Sequence, residues 1–157
     1  MDPRPARPDD VPAVEALVAA AYGHYVERIG VPPLPMVDDY PARVAAGQVW
    51  VVDAPGGGIQ ALVVLLVHPD HLEVDNLAVA PAVQGRGLGR ALLGFAHDRA
   101  AAAGLPELRL KTHELMTENQ ALYASLGWNR TGRVERAGRR AFTYALPVEP
   151  AAGDTAL

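Results

Sequence analysis

Three glycines at alternate positions, Gly85, Gly87 and Gly89, lie in the stretch QGRGLGRALL, which runs from Gln84 to Leu93 and continues as an apolar helical pattern. The first N–H groups of a helix have no intrahelical acceptor, and they carry partial positive charge. Glycines allow an anion to approach such groups closely, because no side chain stands in the way. The stretch therefore predicts a phosphate-binding loop at the start of a helix.

Two common phosphate-binding motifs do not fit this loop. A P-loop requires a lysine after its last glycine, and none follows here. A dinucleotide fingerprint requires the spacing G-x-G-x-x-G after an early strand, whereas these glycines are spaced G-x-G-x-G past the middle of the chain. For the glycines taken alone, a tight loop that only begins a helix is the alternative.

Composition excludes several other chemistries. The chain has no cysteine, which excludes disulfides, thiolate zinc sites and cysteine nucleophiles, and its one serine, Ser125, is far from any strand-and-turn pattern. Lys111 is the only lysine and the net charge is −4, which argues against binding to the phosphate backbone of DNA or RNA. The apolar run Ala61–Val67 is much shorter than the about 20 residues of a membrane helix, and the N-terminus lacks the apolar segment of a secretory signal. We expect a soluble, cytoplasmic protein with no membrane or nucleic-acid partner.

The elements before the loop follow from periodicity. Three prolines within residues 1–8 allow only an edge strand or an extended lead-in. Asp9 or Asp10 suits the N-cap of a first helix. That helix has an apolar stripe of Val14, Leu17, Val18 and Ala21. The remaining predicted elements are a proline-rich loop at Gly30–Tyr40, a short helix through about Ala46, strands at Gln48–Asp53 and Ile59–Val67 joined by the turn APGGG, and a third strand at His71–Val79.

The elements from the loop onward complete an α/β pattern. The helix that follows the glycines should bury one face and end near Ala103, before Gly104. Its predicted apolar face consists of Leu88, Ala91, Leu92 and Phe95. Later elements are a strand at Glu107–His113, a helix from about Glu118 to Leu126, and an antiparallel pair at Trp128–Val134 and Ala141–Leu146. A strand–helix–strand centre between hairpin-like strands predicts a mixed central sheet.

Two segments in this order resemble one enzyme superfamily. Leu77–Ala96 resembles the acyl-CoA-binding segment of the GNAT superfamily of N-acetyltransferases, in which an apolar strand and a proline precede Gln/Arg-x-x-Gly-x-Gly/Ala. Met116–Trp128 resembles the next helix of that superfamily, with an asparagine, a tyrosine four residues later and a Gly-aromatic ending. The opening Arg4–Asp10 looks like its first strand and helix entry. The resemblance implies a single GNAT-like domain over residues 1–147, with about six to seven strands and about four helices, and a flexible tail at 148–157.

The resemblance also implies a cofactor and the residues that hold it. In this superfamily the loop binds the diphosphate of coenzyme A, and the preceding strand pairs with the pantetheine amides as an added strand would. The implied acetyl-CoA-binding residues are Ala78, Val79, Gln84, Gly85, Arg86, Gly87, Leu88, Gly89, Arg90, Asn119 and Tyr123. Solvated surface side chains are an equal alternative for Arg86 and Arg90.

Tyr123 is the predicted general acid. Thr117 and Gln120 fit a capping box that begins a helix near residue 118, so Asn119 and Tyr123 share one helix face. The superfamily has this tyrosine beside the cofactor sulfur, where its hydroxyl can protonate the departing thiolate. The alternative is a half-buried aromatic whose hydroxyl contacts solvent.

Glu73 is the predicted general base, because many GNAT members use a glutamate on this strand. Asp75, two residues on, and His113, at the end of the following strand, are the other candidates. The apolar alternation slips between Val74 and Leu77, which predicts a bulge near Asp75–Asn76. The backbone N–H of Val79 is the implied oxyanion donor.

No metal site is predicted. The stretch HELMT, from His113 to Thr117, begins like the zinc motif H-E-x-x-H but lacks its second histidine. The stretch HPDH, from His68 to His71, favours a polar turn over a metal site.

The predicted function is transfer of acetyl from acetyl-CoA to a primary amine of a small molecule, by direct attack in a ternary complex. Residues 22–40 are expected to line the acceptor cleft, and Asp38 and Asp39 would suit a cationic amine. The alternatives are an acetyltransferase for peptide or protein N-termini and a non-catalytic acyl-CoA sensor. A homodimer is compatible with the predicted edge strands.

Overall fold

Strands and helices follow one another along the chain largely as the periodicity predicts. The computed structural model describes residues 1–149. Its strands are β1 (Arg4–Pro5), β2 (Val49–Asp53), β3 (Ile59–Val67), β4 (Leu72–Val79), β5 (Glu107–His113), β6 (Asn129–Arg136) and β7 (Arg139–Pro147). Its α-helices are α1 (Val11–Tyr22), α2 (Tyr25–Ile29), α3 (Tyr40–Ala45), α4 (Leu88–Ala102) and α5 (Thr117–Ser125).

These strands form a seven-stranded mixed sheet in the order β1-β2-β3-β4-β5-β7-β6. The β4/β5 pair is parallel, whereas the β1/β2, β2/β3, β5/β7 and β6/β7 pairs are antiparallel. The predicted α/β class with a mixed central sheet is therefore confirmed. The short helix α2, which the sequence pattern did not indicate, brings the number of α-helices in residues 1–149 to five.

One compact unit comprises Met1–Leu65 and Asp75–Phe95. The predicted α1 stripe is buried throughout, at Val14, Leu17, Val18 and Ala21. Within β3, all five residues Ala61–Leu65 are buried, as expected of a strand that is covered on both faces. The turn APGGG joins β2 to β3 and is closed by the Ala54 N–H, which donates to the Gly58 carbonyl at 2.9 Å.

The entry to α1 uses Asp10 differently from the prediction. Asp10 occupies the N-cap position, but its carboxylate makes no capping bond to the helix. It accepts instead from the Arg7 N–H at 2.7 Å and from the Arg4 guanidinium at 2.8 Å. Arg4 also binds Asp53 at 2.9 Å. These contacts join β1 to the start of α1 and to the end of β2.

The bulge predicted near Asp75–Asn76 of β4 stays a prediction. These two successive residues both contact α3, Asp75 at Arg43 and Asn76 at Tyr40, whereas a regular pleat points neighbours to opposite faces. Burial alternates without interruption along the strand, and the buried positions are Leu72, Val74, Asn76 and Ala78. The alternation of apolar residues slips because a polar residue, Asn76, takes a buried position and is only 4% exposed. Asn76 can be buried because tyrosine hydroxyls satisfy its amide, as described below.

Helix α4 begins at the predicted residue, but its buried face differs from the prediction. Leu92 and Leu93 are buried, whereas Ala91 is exposed. Burying a leucine removes more apolar area from water than burying an alanine, which favours this rotation of the helix. With 15 residues, α4 is the longest helix, and no helix within residues 1–149 is long and apolar enough to cross a membrane.

The second compact unit comprises Leu66–Val74 and Ala96–Leu157, of which residues up to 149 are described. The predicted final hairpin is present as β6 and β7, with a two-residue turn at Ala137 and Gly138. Both turn residues have positive φ, 53° and 75°, as the twist of a tight hairpin requires. Val148 is buried and its N–H donates to the Pro106 carbonyl at 2.9 Å. The rest of the predicted tail, from residue 150, lies outside the described residues.

Candidate active site

The glycine loop of the first unit presents exposed backbone at the start of α4. Residues 84–87 are exposed, and Gly85 and Gly87 have φ angles of 81° and 87°. A residue with a side chain adopts such angles only at a steric cost, so both positions favour glycine. The Ala91 N–H donates to the Gly87 carbonyl at 2.9 Å. The N–H groups of the three residues after Gly87 therefore belong to the first turn, which has no acceptors within the helix.

The end of β4 lies close to this loop. The Gln84 side-chain amide donates to the Val79 carbonyl at 3.1 Å and so ties the loop to the strand. A Cβ at Gly89 would lie 3.9 Å from Leu77 Cδ2 and 4.0 Å from Val79 Cγ2, so the first turn of α4 closely approaches these side chains. Arg86 and Arg90 are exposed. Their exposure is compatible both with binding a phosphate and with a simply solvated side chain.

A buried polar network centred on Asn76 escaped the sequence analysis. The Tyr22 hydroxyl donates to Asn76 Oδ1 at 2.7 Å, and Asn76 Nδ2 donates to the Tyr40 hydroxyl at 2.9 Å. The Tyr40 hydroxyl in turn donates to the Pro35 carbonyl at 2.5 Å. Burial, with the nearby Asp38 charge, raises the pKa of Tyr40 above its ordinary value, so this hydroxyl stays protonated. The network ties α1, α3 and the proline-rich loop to β4 within the first unit.

The acidic residues expected to attract a cationic amine have partners within the chain. Arg43 lies 3.1 Å from Asp38 and 3.7 Å from the base candidate Asp75. Asp39 caps α3 by accepting from the Ala42 N–H at 3.1 Å. These three carboxylates therefore already serve structural roles in the first unit, which weakens the electrostatic argument for a cationic acceptor.

The predicted capping box of α5 does not form. The helix begins at Thr117, whose hydroxyl donates to the Glu118 side chain at 3.1 Å. Gln120 instead donates to the carbonyls of His113 and Glu114, at 3.3 and 2.7 Å. Gln120 thus holds the end of β5 against the first turn of α5. A long amide side chain can reach several backbone groups near the start of a helix. The turn between β5 and α5 determines which of these groups Gln120 bonds.

Tyr123 lies on α5 in an aromatic cluster of the second unit. It is 7% exposed, and its ring centroid lies 5.8 Å from those of both Trp128 and Tyr144. The tilted ring arrangements are those that aromatic pairs prefer. Asn119, one turn earlier, donates from Nδ2 to the Met116 sulfur at 3.7 Å. The cluster fixes the Tyr123 ring, as positioning a proton donor would require.

The Glu73 carboxylate contacts a histidine and a lysine in the second unit. His68 Nε2 lies 2.9 Å from Glu73 Oε1, and Lys111 Nζ lies 3.3 Å from Oε2. Burial by itself raises the pKa of Glu73, but the hydrogen bond from His68 and the Lys111 charge outweigh it and lower the pKa below its ordinary value. The carboxylate is therefore ionised at neutral pH.

The other two base candidates have distinct surroundings. His113 Nδ1 accepts from the Leu115 N–H at 3.1 Å, which puts the proton of the neutral ring on Nε2 and leaves no lone pair for a substrate. Burial, aided by the Arg139 charge, lowers the pKa of His113 below its ordinary value. Asp75 is bound to Arg43.

The match to a known family covers the segment that carries the loop, β4, β5 and α5. The family described as "Acetyltransferase (GNAT) domain" matches residues 45–130, more than half of the 157-residue chain. The chain therefore belongs to the GNAT acetyltransferase family. The family resemblance predicted from the sequence is confirmed, and the class that this family defines is that of acetyltransferase domains.

Two sequence relatives match part of the chain. The ribosomal protein bS18-alanine N-acetyltransferase of Escherichia coli (strain K12) is 37% identical over 73 residues, which cover 46% of this chain and 49% of that protein. An uncharacterised protein of Mycobacterium leprae (strain TN) is 40% identical over 67 residues, which cover 41% of this chain and 17% of that protein. The alignments span less than half the length of either relative.

Solved structures extend the likeness over nearly the whole chain. The crystal structure of the Escherichia coli ribosomal-protein alanine N-acetyltransferase has a TM-score of 0.72 at 24% identity and covers 99% of this chain and 98% of that one. The PaiA N-acetyltransferase of Thermoplasma acidophilum, crystallised with coenzyme A, has a TM-score of 0.76 at 13% identity, covering 90% and 96%. At these identities the likeness establishes the fold.

Proposed function

We propose that this protein transfers an acetyl group from acetyl-CoA to the primary amine of a small molecule, by direct attack in a ternary complex. The observation that carries the proposal is the glycine loop, whose positive φ angles at Gly85 and Gly87 leave exposed backbone at the start of α4. Such a helix start suits a diphosphate. Membership in the GNAT acetyltransferase family supports coenzyme A as the source of that diphosphate.

In this proposal the first unit binds the cofactor. The N–H groups from Gln84 to Arg90 hold the diphosphate, while Arg86 and Arg90 add positive charge beside it. The backbone of Ala78 and Val79 pairs with the pantetheine amides, in the manner of an added strand. Because Gln84 donates to the Val79 carbonyl, it keeps the strand end and the loop in one arrangement before the cofactor binds.

The chemistry requires proton transfers at two atoms, the acceptor nitrogen and the cofactor sulfur. Acetyl-CoA supplies an acetyl group that is activated as a thioester. The acceptor nitrogen needs a free lone pair, but alkyl ammonium groups have pKa values near ~10, so a base must take a proton. As the C–N bond forms and the C–S bond breaks, Tyr123 gives its hydroxyl proton to the departing sulfur, and the proton that the nitrogen loses as the amide forms restores the Tyr123 hydroxyl. The Val79 N–H donates to the carbonyl oxygen as that oxygen gains negative charge.

Glu73 is the base in this proposal. It is ionised, and its partner His68 is 38% exposed. His113 uses its Nδ1 lone pair within the chain, and the Asp75 carboxylate is bound by Arg43. The contacts therefore disfavour His113, but Glu73 and Asp75 are each paired with a cationic side chain. Between these two carboxylates, the resemblance to family members that use a glutamate on this strand is what favours Glu73.

Calorimetry of acetyl-CoA binding tests the loop directly. Replacing Gly87 with Ala forces a side chain into a φ of 87° and should distort the loop. Replacing Gly57 with Ala is the matched control, since its φ of 103° imposes similar strain in the β2–β3 turn. We expect Gly87→Ala to weaken acetyl-CoA binding about tenfold or more, and Gly57→Ala to leave it unchanged, with both variants checked for folding. Equal affinity in the two variants, or no binding to the unaltered protein, would overturn the proposal.

A second candidate acceptor is the N-terminal amine of a peptide or protein. The name of the Escherichia coli relative, a ribosomal protein alanine N-acetyltransferase, favours it. Screening small amines against peptides with free N-termini separates the two substrate classes. Tight acetyl-CoA binding with no acceptor in either panel would indicate the third alternative, an acyl-CoA sensor.

A further inference from the structure

Two histidines and a glutamate meet at the turn that precedes β4, in the second unit. The His68 N–H donates to the His71 carbonyl at 2.9 Å, so Pro69 and Asp70 form a tight connection between the two histidines. The two imidazole rings are stacked, with centroids 4.3 Å apart and planes 10° from parallel. Backbone hydrogen bonding thus holds both rings on one side of the turn.

The spacing of the polar atoms suits a metal ion. One ligand atom from each of His68, His71 and Glu73 lies within 4.8 Å of the other two. The closest pair, His68 Nε2 and Glu73 Oε1, is 2.9 Å apart. Tetrahedral zinc with bonds of about 2.0–2.1 Å separates its nitrogen and oxygen ligands by about 3.3–3.4 Å. Binding an ion would require the side chains to rotate, because nitrogens of stacked rings do not point at one common atom.

Neighbouring groups orient the ligands in the way that metal sites require. Asp70 Oδ1 lies 2.7 Å from His71 Nδ1, which favours the proton on Nδ1 and leaves the Nε2 lone pair for an ion. Carboxylate–histidine–metal arrangements of this kind raise the basicity of the ligand and fix its ring. Lys111 Nζ lies 3.3 Å from Glu73 Oε2, so the carboxylate is held through one oxygen while the other faces His68.

The cluster borders a cavity of about 550 Å³ within the same unit. Its other lining residues include Arg109, Thr131, Thr143 and Tyr144. An ion held by three protein atoms would have a fourth position open to this space. Three protein ligands with one open position are the arrangement of reactive zinc centres, whereas structural zinc sites use four.

We propose that His68, His71 and Glu73 bind one divalent transition-metal ion through two imidazole nitrogens and one carboxylate oxygen. Zn²⁺ fits this donor set, and imidazole-rich sites also take Co²⁺ and Ni²⁺. The sequence analysis predicted no metal here, because HPDH alone indicates a polar turn. The structure adds Glu73 as a third ligand to the two histidines, and Asp70 orients the His71 ring. Metal binding would occupy the carboxylate proposed as the base, so the two roles compete and each needs its own measurement.

Calorimetric titration of the untagged, chelator-treated full chain with ZnCl₂ tests the site without reference to acetyl transfer. We expect one ion per chain, and affinity at least tenfold weaker in His71→Gln and in Glu73→Gln. His97→Gln is the matched control, since His97 also lies beside an aspartate, 3.7 Å from Asp98, but outside the cluster. That variant should bind as the unaltered protein does.

Cobalt supplies a second readout. Co²⁺ in a four-coordinate site absorbs visible light far more strongly than hydrated Co²⁺, so the spectrum should appear with the unaltered protein and with His97→Gln, and be lost with His71→Gln. Asp70→Asn should keep the site but weaken Zn²⁺ binding about tenfold. Circular dichroism verifies that each variant is folded. The proposal would be overturned if the folded protein bound no stoichiometric ion, or if His71→Gln and Glu73→Gln bound Zn²⁺ as tightly as the unaltered protein.

Discussion

Asn76 and Tyr40 form a buried hydrogen bond of 2.9 Å that joins β4 to the start of α3 within the first unit. Asn76 is 4% exposed and Tyr40 is 2% exposed, so neither group can turn to water if the other is removed. Tyr22 extends the contact on the opposite side of the amide. The proline-rich loop joins the network through the Pro35 carbonyl.

Replacing Asn76 with Ala should destabilise the protein markedly. The substitution removes the two buried hydrogen bonds that the Asn76 amide makes with Tyr22 and Tyr40, which costs about 1–3 kcal/mol. Asn129→Ala is the control, because Asn129 is exposed at the start of β6 and its loss should change the free energy of unfolding by less than about 0.5 kcal/mol. Urea unfolding measures both values. Equal stabilities of the two variants would contradict the structural role of the network.

Replacing Tyr123 with Phe should slow acetyl transfer while leaving acetyl-CoA binding largely intact. A general acid contributes about 10²–10⁴-fold, so kcat should fall at least about 100-fold. Tyr144→Phe is the matched control, since Tyr144 is also a buried tyrosine of the second unit and contacts the Tyr123 ring. Steady-state kinetics over a range of pH separates the two variants. Undiminished transfer by Tyr123→Phe would remove this residue from the acid role.

The three base candidates are distinguished by parallel neutral substitutions. Glu73→Gln keeps the size of the side chain and removes its charge, so kcat should fall about 100-fold if this carboxylate accepts the proton. Asp75→Asn and His113→Gln should retain most of the activity. Comparison at saturating acetyl-CoA, with chelator present throughout, prevents metal binding at Glu73 from masking the result. A larger loss in either of the other variants would reassign the base.

The Arg4–Asp10 ion pair should make the free energy of unfolding depend on pH. The hydrogen bond from Arg4, the largest cause, lowers the pKa of Asp10 from 3.8 to about 2. A carboxyl group whose pKa is lower in the folded than in the unfolded protein stabilises the fold at pH values above its unfolded pKa. This stabilisation is lost as the pH falls through the folded pKa. With solvent screening allowed for, the pair contributes about 1 kcal/mol.

Asp10→Asn should therefore lower the free energy of unfolding by about 1 kcal/mol near neutral pH and by little near pH ~2. Asp9→Asn removes a neighbouring exposed carboxylate and is the matched control. Denaturant unfolding at several pH values gives the difference between each variant and the unaltered protein. A difference for Asp10→Asn that does not change with pH would show that the ion pair is not the cause.

Local sequence pattern was sufficient for most of the secondary structure. The bounds of β3 and β5 agree with the prediction, and the α1 stripe is buried as expected. The apolar periodicity of a strand or helix is visible within a few neighbouring residues, and a turn glycine is required by the φ angle of that one residue. Such features can therefore be predicted from a short segment of sequence. The glycine loop was predictable for the same reason. Assignment to the GNAT family came from two such local motifs in order.

Only the tertiary structure decided which distant side chains meet. The polar residue Asn76 interrupts the apolar alternation of β4, and its burial depends on Tyr22 and Tyr40, which are more than 30 residues away in sequence. Lys111 reaches Glu73 because β4 and β5 pair in parallel. A polar side chain has several feasible partners, and chain folding determines which of them lies within about 3 Å. The sequence by itself determined the elements and the family, whereas the fold determined the partners of the polar groups.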